Sequence, residues 1–432
     1  MRLLQRKNKR YRHIVGHVNK LTSTSNLFLF LKNTNFAENP SKFTSILKRV
    51  ALIEIPPSFS ISENPNESIQ ILRRLFYFGS QLNIHEIEID YSQCINLEIA
   101  ASTIMDVIVL VIKDYHTKNH SHITFCGSIP KKGRVKDIFM ASGLYKHLKI
   151  DIAEDVAVDY SQIKSFDLIH GGHNSKRSDS AATRLAEYIN HCLNTQGYAL
   201  APPGTNLLSV MFGEVLDNCE LHGGPFTEWF ALGHFQTNPN LHNCGEIQLV
   251  IANFGNTIYQ QLSNPNVTSK ETLDKLEFLS KKHKPYFSST WNEEMLYTLF
   301  SLQEGISRLR NQDVDGNRKR GTGTIKLIER FQQIGQTTNS LNPLMTITSG
   351  HTHIRFDQKY LLGKNRFHDT MLGNNERKII AFNDTNDIYL PPDSSNVQKL
   401  DEFFQGTIIS LNFFFDQQYL EKFTPQRRQE NE

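Results

Sequence analysis

The sequence has few cysteines and no long hydrophobic run. Its five cysteines are Cys94, Cys126, Cys192, Cys219 and Cys244. They contain no C-x-x-C pair, which argues against a disulfide framework or a zinc knuckle and favours reduced thiols in the cytoplasm. The apolar runs Val107 to Ile112 and Leu27 to Leu31 are far shorter than a membrane span, and no small-residue cleavage site follows the second. We therefore expect neither a membrane segment nor a signal peptide.

Charge of both signs is present in near balance, 47 basic against 44 acidic residues, but it is unevenly placed. Eight basic residues precede the first acid, Glu38, and the remaining 39 basic residues face 44 acidic ones, so the rest of the chain is net −5. We interpret residues 1–45 as a basic arm. Such an arm can bind phosphate backbones, but it lacks interleaved aromatics and belongs to no recognisable nucleic-acid module. Nucleic-acid binding is therefore not favoured over a solvated terminus.

Residues 46–165 alternate strand and helix patterns, which predicts a small α/β domain with helices packed on a sheet. The predicted strands are Val50 to Ile55, Ile87 to Asp90 and His122 to Cys126; the predicted helices are Glu67 to Phe78, Glu98 to Lys113 and Val135 to Leu148. The polar, glycine-containing stretch Ser161 to Ser178 is typical of a linker. We take residues 166–432 as a second domain. The composition of the whole chain, with 39% apolar and 21% charged residues, is that of an ordinary globular protein.

The most informative stretch runs from Leu207 to Gly224. Apolar residues recur in it at helical spacing, and Gly223-Gly224-Pro225 ends the pattern, so it predicts an amphipathic helix. Glu214, Asn218 and His222 are each four residues apart and therefore lie along one stripe of that helix. Polar groups in line are costly on an apolar helix unless they face a polar cleft or solvent.

Two later stretches add to this pattern. Ile247 to Ile258 is a predicted strand that runs into a glycine turn and contains Asn253 and Gly255. Arg318 to Phe331 is a glycine-containing loop that opens a predicted helix. In this order the three stretches resemble the N box, G1 box and G2 box of the GHKL ATPase family. That family includes gyrase B, heat-shock chaperones, sensor histidine kinases and anti-sigma-factor serine kinases, and the last group shares the Glu-x-x-x-Asn-x-x-x-His-Gly pattern.

The resemblance, which spans residues 180 to 415, implies a Bergerat-type α/β sandwich with a mixed sheet, helices on one side and a long lid insert at 259–320. It implies ATP and Mg2+ as ligands. Asn218 would bind Mg2+ and Glu214 would act as general base, while His222 would either contact phosphate or close the helix. Asn253 and Gly255 would contact the purine. The phosphate cradle would consist of Arg320, Gly321, Thr322, Gly323 and Thr324.

Two departures from the family pattern lie in the G1 box. The family's adenine-contacting aspartate is Asn253 here, and its second glycine is Thr257. An amide still offers an acceptor oxygen and adds a donor. No phosphoacceptor histidine is evident, because His191 lacks the neighbouring acid pattern. Three hypotheses remain: an ATPase acting as a nucleotide-dependent regulatory switch, a serine/threonine kinase of the anti-sigma type, and a non-catalytic nucleotide-binding interaction protein.

The first domain resembles a STAS domain, the fold of anti-anti-sigma factors. The matching stretches are Ile89 to Cys94, Phe125 to Pro130 and Val135 to Leu144. The family's phosphorylatable serine falls near Ile99 to Ala101 here, and Ser102 and Thr103 are out of register. The resemblance therefore implies a degenerate domain that docks an unidentified protein partner or supports the fold. Homodimerisation is a further expectation.

Overall fold

Two β-sheets and the helices around them form the described part of the chain. The structure is a computed structural model that describes residues 27–37, 46–47, 50–130, 133–142, 163–173, 175–225, 227–238, 244–304, 323–334, 343–366 and 376–415. Both parallel and antiparallel strand pairs occur, which confirms the α/β class. Among these residues, no helix is both long and apolar enough to cross a membrane.

The N-terminal layer contains the small sheet, whose strands are ordered β1-β2-β4-β6, and a short β3-β5 pair. Its three principal strands pair in parallel because a helix connects each to the next. The predicted strand and helix alternation is confirmed from residue 50 to residue 142. The elements are α1 Leu27–Lys32, β1 Ile46–Leu47, β2 Val50–Glu54, β3 Ser58–Phe59, α2 Pro65–Gly79, β4 Glu86–Asp90, β5 Asn96–Leu97, α3 Ile99–Lys118, β6 Thr124–Ser128 and α4 Gly133–Ser142.

The C-terminal part contains a five-stranded sheet in the order β10-β13-β9-β8-β7, with a separate β11-β12 hairpin. Its elements are β7 Ile163–Gly172, α5 Ser178–Asn194, α6 Pro202–His222, β8 Glu228–Asn238, β9 Cys244–Phe254, α7 Ile258–Leu262, α8 Lys270–His283, α9 Glu293–Phe300, α10 Gly323–Ile334, β10 Leu344–Phe356, β11 Gly363–Arg366, β12 Glu376–Ile379 and β13 Val397–Phe415.

The expectation of a mixed sheet in this part is wrong for the described strands, because all four neighbouring pairs are antiparallel. The connection from β7 to β8 explains part of this pattern. It consists of two helices, α5 and α6, which lie side by side. The first carries the chain along the sheet and the second carries it back, so β8 starts at the end where β7 stops and runs the opposite way.

The interpretation of Ser161 to Ser178 as a linker is also wrong. Its described residues include the ten-residue edge strand β7, which pairs with β8. Gly171 lies so close to the Trp229 ring on β8 that a Cβ atom there would overlap it. The glycines that suggested a loop therefore allow close approach of two strands.

The predicted lid insert begins as packed structure rather than as an open loop. Residues 258–304 form α7, α8 and α9, and Leu276, Leu279 and Met295 are buried in the main core. Apolar spacing predicts one helix in this insert, from Trp291 to Leu309, and the structure forms the shorter α9 there. No such pattern predicts α8. Residues 305–322 lie outside the described residues.

The five-stranded sheet is covered on both faces, which differs from the expectation of helices on one side. Trp229 and Ala231 face the core that contains α5 and α6. Phe230 and Leu232, next to them on β8, join the core of the N-terminal layer. The core of residues 46–165 therefore includes side chains from the second predicted domain. We expect that residues 46–165 do not fold as an isolated unit. The boundaries at residues 45 and 165 stay predictions.

Buried polar contacts also join the two layers. The Glu98 carboxylate, at the start of α3, accepts hydrogen bonds from Ser60 Oγ at 2.7 Å, from Ser62 Oγ at 2.6 Å and from Ser410 on β13. Two ion pairs cross the same boundary, Arg73 with Glu402 and Arg134 with Glu246. Because buried polar groups need partners, this network fixes how the layers fit together.

Candidate functional site

Helix α6 presents the polar stripe that the sequence predicts. Its apolar face is buried, with Phe212 and Leu216 at 1% exposure or less. Glu214 is half-buried and Asn218 is exposed. His222 ends the helix, but the description does not extend to its side chain. Glu214 and Asn218 therefore lie at the boundary between helix and solvent, where a ligand can reach them.

The start of α10 lies beside this stripe. Lys326 Nζ is 3.8 Å from Glu214 Oε1, and both side chains are partly exposed. Helix α10 begins at Gly323 and has no acidic residue in its first turn. The first amides of an α-helix have no intrahelical acceptor, and no acidic side chain within this first turn competes for them, an arrangement that suits an anion. Thr324 is half-buried there. Arg320, Gly321 and Thr322 lie outside the described residues.

The turn after β9 lies against the other end of α6. The amide of Asn256 donates a 2.8 Å hydrogen bond to the carbonyl oxygen of Gly223. A Cβ atom on Gly255 would come within 2.5 Å of that same oxygen and of Thr227 Oγ1. Glycine is therefore required at residue 255 by close approach. The structure thus brings the predicted N box and G1 box into contact.

Asn253 lies next to this turn and faces α6. The side chain is 6% exposed, and its Nδ2 donates to Cys219 Sγ at 3.4 Å. Its Oδ1 is buried and has no hydrogen-bond partner among the residues that the structure describes, and the same holds for Thr227 Oγ1. Burial raises the pKa of the Cys219 thiol to about 11, so this thiol stays protonated at neutral pH. Unpaired buried oxygens are uncommon in folded proteins and can mark a place that a ligand completes.

Another carboxylate on α6, that of Glu220, has a structural role. Glu220 is buried and accepts hydrogen bonds from Trp229 Nε1 at 3.1 Å, from the Arg177 amide at 3.2 Å and from Ser175 Oγ. These bonds attach the end of α6 to β8 and to the start of α5. The helix that carries Glu214 and Asn218 is therefore held rigidly in place.

A magnesium ion at this site would depend mainly on the nucleotide. In the described part of the chain, no three His, Cys, Asp or Glu side chains are close enough together to hold a metal. One amide oxygen, from Asn218, together with phosphate oxygens and water is a sufficient ligand set for Mg2+. The residues present therefore fit the ion that the resemblance implies.

Three residues of the site were not predicted from the sequence. Lys326 follows Gly323 by three residues and could have been noticed as a cation near the start of α10. Thr227 and Cys219 carry no local signal. They join the site only because β8 pairs with β9 and because α6 packs on the sheet.

A scan against protein-family models, a search of curated proteins and a search of solved structures each found no match to this chain. The likeness to GHKL ATPases therefore depends on the motifs and on where the fold places them.

Proposed function

We propose that the C-terminal part of this chain binds Mg-ATP and hydrolyses it or transfers its phosphate, as a nucleotide-dependent regulatory switch. The observation that carries the proposal is that three separate segments, α6, the turn after β9 and the start of α10, meet at one place. Gly255 contacts one end of α6, and Lys326 lies beside Glu214 nearer its middle. These segments are the ones whose motifs resemble the N, G1 and G2 boxes, and the order of helix, strand turn and helix start supports that resemblance.

Each side chain has a chemical role in this proposal. Glu214 would accept a proton from the attacking water or hydroxyl group, a task for which a half-exposed carboxylate is suited. Asn218 would offer its amide oxygen to Mg2+, which neutralises phosphate charge when bound. The amides at the start of α10 would hold phosphate oxygens.

Lys326 adds a regulatory element to the site. Its ammonium group is 3.8 Å from Glu214, and the pair is partly exposed, so the attraction is worth well under about 1 kcal/mol. A triphosphate nearby would compete strongly for this lysine. The carboxylate would then lose its lysine partner when nucleotide binds, which would leave it free to face the attacking group.

Under the same proposal, the N-terminal layer docks a protein partner or supports the fold. Its parallel strands with intervening helices suit a STAS-like fold. Ser102 and Thr103 lie within α3 and are 1% and 0% exposed, so a kinase could not reach them without unfolding the helix. The outer face of the small sheet, which includes the exposed Glu54 and Glu88, remains available to a protein partner.

Calorimetry and turnover measurements on Glu214→Gln test the proposal. We expect ATP affinity to stay within a few fold, because the carboxylate does not attract a polyanion. Turnover should fall by about a hundredfold, the usual worth of a positioned general base. Asn218→Ala should weaken magnesium-dependent binding.

Glu329→Gln is the matched control, because Glu329, like Glu214, is a partly buried helix carboxylate paired with a lysine: it lies on α10 and its partner is Lys378, at 2.7 Å. It should change neither binding nor turnover. Absence of magnesium-dependent ATP binding by the wild-type protein would refute the proposal. Binding without any turnover, or turnover unchanged in Glu214→Gln, would remove only the catalytic role.

A further inference from the structure

Asn253 and Thr227 present two unpaired oxygens on the same side of the sheet. Asn253 pairs with Trp229 in the β8-β9 register, and Thr227 precedes Trp229 by two residues, so both side chains point towards α6. Thr227 Oγ1 lies close to both Gly255 and Gly223, since a Cβ atom added to either glycine would overlap it. The two oxygens, Asn253 Oδ1 and Thr227 Oγ1, are buried and have no partner within the described part of the chain. Polar groups with unused bonding capacity thus lie next to the turn proposed to meet the base.

These groups share a property that a carboxylate lacks. An amide has one end that accepts and one that donates, and a hydroxyl does both, whereas an ionised carboxylate only accepts. The Cys219 thiol, which is the partner of Asn253, can also either accept or donate a hydrogen bond. Cys219 Sγ accepts from Nδ2 at 3.4 Å, and because the thiol carries its proton it can instead donate to the amide oxygen.

Rotation of the Asn253 amide by half a turn therefore exchanges one weak sulfur contact for another. In one orientation the oxygen is left for a ligand, and in the other the NH2 group is. Hydrogen bonds to sulfur are weak, so neither orientation is strongly preferred in the free protein. A 6-amino group on a purine would bond to the oxygen, and a 6-oxo group would bond to the NH2.

We propose that the base subsite formed by Asn253 and Thr227 accepts 6-amino and 6-oxo purines alike, so that the protein does not discriminate strongly between adenine and hypoxanthine nucleotides. This inference rests on the proposed nucleotide site. It assigns base selectivity to a single amide whose orientation follows the ligand, through its contact with Cys219.

Titration calorimetry of the wild-type protein with Mg-ATP and Mg-ITP provides the first test. Inosine triphosphate changes the 6-substituent without adding the 2-amino group of guanine, so it isolates the contact with Asn253. We expect the two dissociation constants to agree within about threefold. Purine riboside triphosphate, which has no 6-substituent, should bind more weakly than both, since it leaves the amide unpaired.

Asn253→Asp provides the second test, because a carboxylate in this position can only accept. We expect this variant to prefer ATP over ITP by about tenfold or more, since the 6-oxo group would then face another acceptor. Asn412→Asp is the matched control. Asn412 also has a buried Oδ1 with no partner among the described ranges, and it lies on the same sheet, but on the face that Ser410 turns towards the N-terminal layer. It should leave the ATP to ITP ratio unchanged.

The outcomes separate the inference from the function on which it rests. Wild-type protein that binds ATP at least tenfold more tightly than ITP would overturn the inference and leave the ATP site standing. A wild-type protein that binds neither nucleotide would overturn both. If circular dichroism shows that Asn253→Asp does not fold, the comparison of the three nucleotides on wild-type protein decides the question alone.

Discussion

Acid should weaken this fold through two histidines buried between the layers. His234 on β8 and His353 on β10 lie on the sheet face turned towards the N-terminal layer. Burial lowers the pKa of each to about 4, and the neighbouring cations Arg134 and Arg355 act in the same direction. The ordinary value is 6.5. As pH falls from about 6.5 to about 4, the unfolded chain takes up these protons and the folded chain does not.

The free energy of unfolding should therefore fall with pH through that window. Each histidine contributes about 3 kcal/mol above the window, and about 2 kcal/mol of this is lost by pH 5. Together the pair should remove about 4 kcal/mol between pH 7.5 and pH 5, a large part of the 5–15 kcal/mol typical of a folded domain. His116 and His283, whose pKa values are also lowered by burial, act in the same direction.

Urea unfolding followed by tryptophan fluorescence at pH 7.5, 6 and 5 measures this effect, and Trp229 and Trp291 are both buried reporters. The double variant His234→Gln/His353→Gln removes the two titrating rings and should show a much flatter profile. A wild-type free energy of unfolding that changes by less than about 1 kcal/mol over this range would refute the reasoning. So would an equal slope in the double variant.

Three further outcomes follow from single positions. Gly255→Ala should lower the free energy of unfolding by about 1–3 kcal/mol in urea titrations, because its Cβ would lie 2.5 Å from the Gly223 oxygen; an unchanged midpoint would contradict that contact. Mass spectrometry of protein isolated from cells should find no phosphate on Ser102 or Thr103, which are buried in α3, and stoichiometric phosphate there would contradict their burial. Among the cysteines whose burial the structure describes, Cys126 is the exposed one and should react first with maleimide, as measured by peptide mapping. Its reaction at pH 7 should be slow, because burial and then Glu86 raise the pKa of its thiol, and faster reaction of another of these cysteines would contradict the prediction.

The elements that could be predicted were those whose local pattern and final environment agree. Helix α6 buries the apolar face that its spacing indicates. Apolar residues on one face predict a helix from Asp179 to Asn194, and α5 starts one residue earlier, at Ser178. Strand β7 could not be recognised, because its polar and glycine-rich sequence becomes a strand only by pairing with β8. Helix α8 has few apolar residues among many charged ones, and its buried side depends on contacts from distant segments.

The residues of the candidate site likewise fall into those that the local sequence predicts and those that only the fold brings there. Glu214, Asn218 and Gly255 follow from spacing and from a turn signal along the chain. Thr227 and Lys326 are added by the pairing of β8 with β9 and by the packing of α10 on α6. No local periodicity encodes such contacts, since they arise between segments far apart in sequence.

Side chains alternate between the two faces of the sheet at the end of β9, so this strand end contacts both α6 and the N-terminal layer. Asn253 points to α6, while the next residue, Phe254, packs on the other face against the rings of Phe36, Phe230 and Phe404, with centroids 6.3, 6.1 and 5.4 Å away. Close-packed rings leave little free volume, so the strand end cannot shift towards one layer without disturbing the other. A ligand that displaces Asn253 should therefore change amide hydrogen exchange around Phe36, in a segment that has no atom at the candidate site.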